Sequence, residues 1–103
     1  MKQTYTFFIH MNATRAWLAL SSTERADFAA KELAPLLAQY PHITLRFYDT
    51  EVFTTRCSDI AVFETDSITD FYALMDTIRD SRIFTVPYFE FVDIFPAIEA
   101  DLI

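Results

Sequence analysis

The chain has 103 residues, a length that suits one domain spanning 1–103, and it contains no glycine, which excludes the glycine-rich phosphate loops of Walker-type and dinucleotide-fold sites. Eight basic against fifteen acidic side chains leave a net charge of -7, which disfavours non-specific binding to nucleic acid. With 52% apolar residues the chain can bury enough surface to offset its ordering entropy, which excludes disorder.

Residues 4–12 alternate, with Tyr5, Phe7, Ile9 and Met11 on one face, and predict a strand. Residues 14–20 form a short helical or irregular segment carrying Trp17. Ser21 and Glu24 make an S-x-x-E capping box, so a helix begins here and runs to about Tyr40. Its apolar stripe is Ala26, Ala29, Leu33, Leu36, Leu37 and Tyr40; Pro35 should kink it and Pro41 stops it. Residues 43–49 predict a second strand, with Ile43, Leu45 and Phe47 on one face and Thr44, Arg46 and Tyr48 on the other. A connection over 50–57 includes one helical turn near Val52-Phe53.

Residues 59–65 predict a third strand, whose Ile60-Ala61-Val62-Phe63 run suits a central position buried on both faces. Asp66 or Ser67 caps a helix to about Asp80, with Ile68, Phe71, Tyr72, Met75 and Ile78 inward. Its spaced acids Asp66, Asp70, Asp76 and Asp80 read as a solvated face, and no EF-hand-like spacing occurs. Residues 86–95 predict a fourth strand, an edge because Pro87 lies at its start. Pro96 then opens a short terminal helix.

The order β-α-β-β-α-β is that of the ferredoxin-like α+β fold, an antiparallel four-stranded sheet with two helices on one face. One alternation set is core: Tyr5, Phe7, Ile9, Met11, Ile43, Leu45, Phe47, Phe89 and Phe91. The opposite set is mixed: Thr6, Phe8, His10, Arg46, Tyr48, Tyr88, Glu90, Val92 and Ile94. A face meant for water would not carry Phe8, Tyr88, Val92 and Ile94 together. The expected partner is a second copy, with two sheets packed face to face as a dimeric α/β barrel.

The single cysteine, Cys57, allows no intrachain disulfide, and a packed core in a reducing cytoplasm is the expected setting. The N-terminal stretch does not read as a signal peptide, and the longest apolar run, Ala16 to Leu20, is too short to span a membrane. Two histidines and one cysteine are too few and too scattered for a structural zinc site, and no cofactor is expected.

Three segments are distinctive: Ala16-Trp17-Leu18-Ala19-Leu20, the run from Arg56-Cys57-Ser58-Asp59 to Thr65, and Val86-Pro87-Tyr88-Phe89-Glu90. They resemble the darcynin family of small bacterial proteins over essentially the whole chain. That family has no assigned function, so the resemblance implies no catalytic residues. More loosely, the layout is similar to the dimeric α/β-barrel superfamily, which includes cofactor-independent monooxygenases, haem enzymes and enzymes of small aromatic or lactone-like compounds. That likeness implies function by analogy only.

His10 is the candidate catalytic residue: a carboxylate such as Glu90 on the neighbouring strand would fix its tautomer and raise its basicity. The plainer alternative is a hydrogen-bonded histidine in a dimer interface. Arg46 either pairs with Glu90, Glu64 or an acid of a second subunit, or binds an anionic substrate. Trp17, with Arg15, lies where a segment can lid a cleft, and could give an aromatic ligand a flat wall. Asn12 could orient a ligand oxygen or supply a left-handed turn. Tyr48, Tyr72 and Tyr88 could line a pocket, and Cys57 reads as a small buried thiol. Asp59 caps its loop or pairs with Arg56, and His42 is an exposed loop residue.

These readings favour a homodimer binding a small apolar or aromatic molecule between sheet and helices. Phe and Tyr would form the walls, with His10, Asn12, Arg46 or Glu90 as polar anchors. The alternatives are a cofactor-independent monooxygenase-like or isomerase-like enzyme using His10, and a dimerisation module with a filled core.

Overall fold

A computed structural model describes residues 3–102. Strands β1 (Tyr5–Ala13), β2 (Thr44–Asp49), β3 (Asp59–Thr65) and β4 (Phe89–Ile98) form one sheet in the order β2-β3-β1-β4. Every neighbouring pair is antiparallel. Helices α1 (Arg15–Leu18), α2 (Ser22–Phe28), α3 (Ala34–Ala38), α4 (Ile68–Asp80) and α5 (Arg82–Thr85) complete the ferredoxin-like α+β arrangement.

The β1 alternation does what its pattern requires: Phe7, Ile9 and Met11 are buried, while Phe8 and Asn12 stay exposed. Cross-strand neighbours share a face, so Phe63, Ala61 and Asp59 of β3 join Phe7, Ile9 and Met11 on the helix side. Leu45, Phe47 and Asp49 of β2 extend that face. β3 is central as expected, but only its helix side is well buried; Ile60 and Val62 on the other side are half-buried.

The long helix begins on the expected capping box: Ser21 accepts from the Glu24 N–H, and the Glu24 carboxylate accepts from the Ser21 N–H. Ahead of Pro35, a π-helical turn covers Ala29–Leu33 and interrupts the regular helix. The Ala34 N–H reaches back five residues to the Ala29 carbonyl, and α3 restarts with Pro35 in its first turn. The widened turn accommodates a residue that has no N–H and whose ring crowds the preceding turn.

α4 is capped by Ser67, which accepts from the Asp70 N–H. Its inward stripe is Phe71, Leu74, Met75 and Ile78, and Leu74 is fully buried. Tyr72 and Ile68, expected inward, are exposed, because the helix is rotated so that Leu74 seats at the centre. The 50–57 connection has its helical turn, with the Phe53 and Thr54 N–H groups donating to the Thr50 carbonyl. Cys57 is buried there beside the Thr50 hydroxyl.

The fourth strand departs most from expectation. Ser81 caps α5, which takes up residues 82–85, and β4 starts only at Phe89. It continues through Pro96 to Ile98, where a terminal helix was expected, because β1 pairs along its whole length: Tyr5 faces Ile98 and Phe7 faces Pro96. Pro96 is tolerated because β4 is an edge strand. The register shifts between His10 and Met11, so that Met11 faces Phe91 while His10 faces Asp93. This bulge flips the remainder of β4. Ile94 therefore lies on the helix side, opposite Ile9, and Phe95 takes the open face opposite Phe8.

Without glycine the chain makes its turns with no positive φ among the described residues, so Asn12 does not supply a left-handed turn. Hydroxyl side chains organise the connections instead. The Ala13 N–H donates to Ser58 Oγ at 2.7 Å, and the Thr14 hydroxyl donates to the Pro87 carbonyl at 2.6 Å.

Candidate functional site

Between the sheet and the helices lies a cavity of about 420 Å³, within the ordinary size range of small-molecule sites. Its floor is the helix-side face of the sheet, centred on Ala61 of β3 with Ile9 and Phe47 on either side. Its roof comes from α2, the π-helical turn and α4, through Ala26, Ala29, Leu33 and Met75. Alanines on both sides leave volume that larger side chains would fill, and the widened turn brings both Ala29 and Leu33 to the wall. On edge strand β2 the lining residue Phe47 is 53% exposed although it faces the helix side, so the cavity wall meets solvent there.

The walls are aromatic and held by one another. Trp17 of α1 meets Phe28, Tyr88 and Phe89 at ring-centroid distances of 5.9, 5.5 and 5.1 Å. Phe84 stacks on Phe91 at 4.2 Å, and Phe47 reaches across the floor to Phe89 at 6.1 Å. Edge-to-face and offset stacking of this kind stabilises the ring positions beyond simple burial. Arg82 clamps the cluster from outside: it pairs with Glu32 at 3.0 Å and donates to the Tyr88 hydroxyl at 2.6 Å.

Two charged residues line the cavity, Arg25 and Asp59. Arg25 is occupied: its guanidinium donates to the carbonyls of Trp17 at 3.2 Å and Leu18 at 3.3 Å and lies over the indole. Asp59 is half-buried at the start of β3, and Oδ2 accepts from the Ser58 hydroxyl at 2.6 Å. Burial pushes its carboxyl above the ordinary value; the Ser58 hydrogen bond pulls it back and the Asp49 carboxylate adds to the rise.

Of the residues expected at the site, Trp17 stands in the cavity wall. His10, Arg46 and Tyr48 do not line it, because strand alternation puts them on the opposite, open face. Asn12 is also on that face, where its Oδ1 accepts from the Ser58 N–H at 3.0 Å. Glu90 pairs with Asn12 rather than His10, and the bulge brings Asp93 instead of Val92 across from His10. The His10 ring instead meets Phe95 edge-on at 5.2 Å. Glu90 is exposed and borders a shallow hollow with Arg79 and Phe84. Tyr88, expected on the open face, precedes β4 and is buried against Trp17 and Phe28. Arg46 is exposed and forms no ion pair among the described residues, whose side-chain pairs are Lys31–Asp27 and Arg82–Glu32.

Asp59 and Arg25 were not read from the sequence as site residues. For Asp59 the signal was available: it alternates with Ala61 and Phe63, so any face that buries them also takes its carboxylate. Among the described residues no group of three or more His, Cys, Asp or Glu side chains could hold a metal ion, and no helix is long and apolar enough to cross a membrane.

Fold and cavity together define a ferredoxin-like α+β protein with a largely apolar, partly open cavity between sheet and helices. The chain belongs to the darcynin family: the model of the "Darcynin, domain of unknown function" family matches residues 1–102. It is 55% identical to Darcynin 1 of Acinetobacter baumannii over 82 residues, covering 80% of this chain and 91% of that protein. It is 54% identical to a darcynin of Chromobacterium violaceum over 67 residues, covering 65% and 85% respectively.

Solved structures extend the likeness of fold. A chlorite dismutase from Candidatus Nitrospira defluvii in complex with imidazole superposes at a TM-score of 0.75 and 13% identity, over 94% of this chain and 40% of that one. A heme-binding protein from Thermus thermophilus superposes at 0.76 and 19% identity, over 93% and 40%. The chain thus spans about 40% of the length of each.

Proposed function

We propose that this darcynin is a homodimeric, cytoplasmic binder of a small apolar or aromatic molecule, held in the cavity between sheet and helices. The observation that carries the reading is the cavity itself: about 420 Å³, walled by Trp17, Phe28, Phe47, Phe63, Phe84, Phe89 and Phe91, with Asp59 at its margin. Rings already braced by other rings favour a preformed pocket, so a ligand does not have to order its own site. A dimerisation module with a filled core has no use for such a space. An enzyme relying on His10 would need the imidazole in the cavity, and it lies on the other side of the sheet.

A second copy is the proposed occupant of the open sheet face. Phe8, Tyr48 and Phe95 are exposed there beside half-buried Ile60 and Val62. The face also carries both charge signs, with Arg46 on edge strand β2 and Asp93 on edge strand β4. An isologous contact needs such self-complementarity, since each residue meets its counterpart reciprocally.

The heme-binding neighbour raises the question of haem. Haem iron is held by histidine, cysteine thiolate, tyrosine or methionine. Among the described residues the cavity lining offers no histidine, cysteine or tyrosine, and only the thioethers of Met11 and Met75. That donor set does not fit a haem centre, and no chemistry is routed through one.

The test is a thermal-shift screen of the protein against a metabolite library, since a ligand of the native state raises its midpoint. Apolar and aromatic compounds should give the shifts, and Ala61→Phe, which fills the floor, should abolish them while the far-ultraviolet circular dichroism stays unchanged. Shifts that survive Ala61→Phe, or none with the native protein, would overturn the reading.

A further inference from the structure

The cavity is apolar except at one point. Among the described residues Asp59 has the only carboxylate in its lining, while the other charged lining residue, Arg25, is held by two backbone carbonyls and the Trp17 ring. One Asp59 oxygen takes the Ser58 hydroxyl, and among the described residues no donor is recorded on the other. Directly across the β2–β3 ladder stands Asp49, on the same face and exposed, though not itself in the lining. A carboxylate in the wall of an apolar chamber with a second carboxylate across the ladder makes a local negative potential, and the low-dielectric wall strengthens it. Neither arginine nearby in sequence balances it: Arg46, though on β2, projects from the opposite face, and Arg56 in the preceding connection is exposed and unpaired among the described residues.

We infer that the ligand of this cavity is an apolar or aromatic amine, whose ammonium group is held by Asp59 with Asp49 as its cross-strand neighbour and whose body lies over Ala61 between the rings. This inference rests on the cavity being a ligand site, and it assigns Asp59 as the residue that sets specificity. The chemistry follows from the carboxylate's surroundings. A half-buried anion that has lost part of its hydration gains from a cation donating to its second oxygen, and charge-assisted bonds of this kind are the strong ones. A ligand carboxylate at the same place would meet two like charges. A hydroxyl would gain only a neutral hydrogen bond.

Three compounds of one shape separate the possibilities: 4-phenylbutylamine, 4-phenylbutan-1-ol and 4-phenylbutyrate, titrated by calorimetry at pH 7. The amine should bind about tenfold more tightly than the alcohol, and the acid more weakly than either. In Asp59→Asn the amine should fall to the level of the alcohol while the alcohol changes less than about twofold. In Asp49→Asn, at an exposed position that leaves the core untouched, the amine should lose part of its advantage. The native ranking stands as a test even if Asp59→Asn folds poorly. If alcohol and amine bind equally, or Asp59→Asn keeps the amine preference, the inference is overturned and the cavity reading survives. If none of the three binds, the inference is overturned, and the library screen with Ala61→Phe decides the cavity reading separately.

Discussion

On β1, Phe7, Ile9 and Met11 are buried beneath the helices, while Phe8, His10 and Asn12 alternate with them onto a face that no helix covers. The two faces share a backbone and divide the work. The covered side holds almost all the buried side chains, closed by Leu74 and Ile78 of α4 and by the ring cluster around Trp17. The open side keeps large apolar groups at the surface and mixes them with Arg46, His10, Asp93 and Glu64. The difference teaches where each kind of chemistry can reside. Burial with an unfilled centre makes a chamber for a small molecule, whereas exposed apolar groups of mixed charge suit a large, flat counterpart.

That contrast can be broken from either side. The largest stability effect should come from Leu74→Ala, which removes the fully buried side chain of the covered face and should cost about 3 kcal/mol in urea unfolding. On the open face, Phe95→Glu should leave protomer stability within about 1 kcal/mol but weaken self-association by about thirtyfold, read by light scattering at micromolar concentration. A monomer in the native protein at that concentration would remove the dimer from the comparison. Ser21→Ala opens the capping box that starts the helical cover and should cost about 1 kcal/mol, read by thermal unfolding.

The smallest effects are in pH dependence, and two acids should move in opposite directions. The Ser21 backbone and side-chain hydrogen bonds hold the Glu24 carboxyl below its ordinary 4.5. Its stabilising effect is present above that value and is lost as pH falls through the folded one. Asp59 is raised above 3.8 mainly by burial, so folding binds protons there. Its unfavourable contribution is full above the folded value and is relieved as pH falls to the unfolded one. Asp59→Asn should therefore raise the melting midpoint at pH 7, with the gain disappearing below pH 3.8, and Glu24→Gln should lower it at pH 7 and matter little in acid. An Asp59→Asn midpoint that falls at pH 7 would show that the Ser58 bond outweighs burial.

Much of the architecture was legible in local pattern. The β1 and β3 alternations, the Ser21–Glu24 box and the order of elements each rest on spacing within a few residues, and each appears where the pattern put it. The candidate site was less legible, because the residues rich in functional groups drew the eye to the open face. His10, Arg46, Tyr48 and Glu90 do not line the cavity, while Asp59, read as a loop cap or a partner of Arg56, does. Trp17 lines it, but its neighbours Phe28, Tyr88 and Phe89 come from distant segments that no local pattern joins.

The missing glycines complete the division. The sequence by itself determined that no phosphate loop could form and that turns would rest on hydroxyl, acid and proline chemistry, because these are properties of residue type and near neighbours. It also set which side chains share a face along β1, β2 and β3, since an unbulged strand's period of two depends on nothing distant. Only the tertiary structure decided that Pro96 stays in the sheet, that a bulge turns Phe95 rather than Ile94 to the open face, and that His10 faces Asp93. The pairing partner β1 imposed all three. The cavity belongs to the same class, for it exists only where alanines of α2, the π-helical turn and β3 meet across the sheet–helix gap.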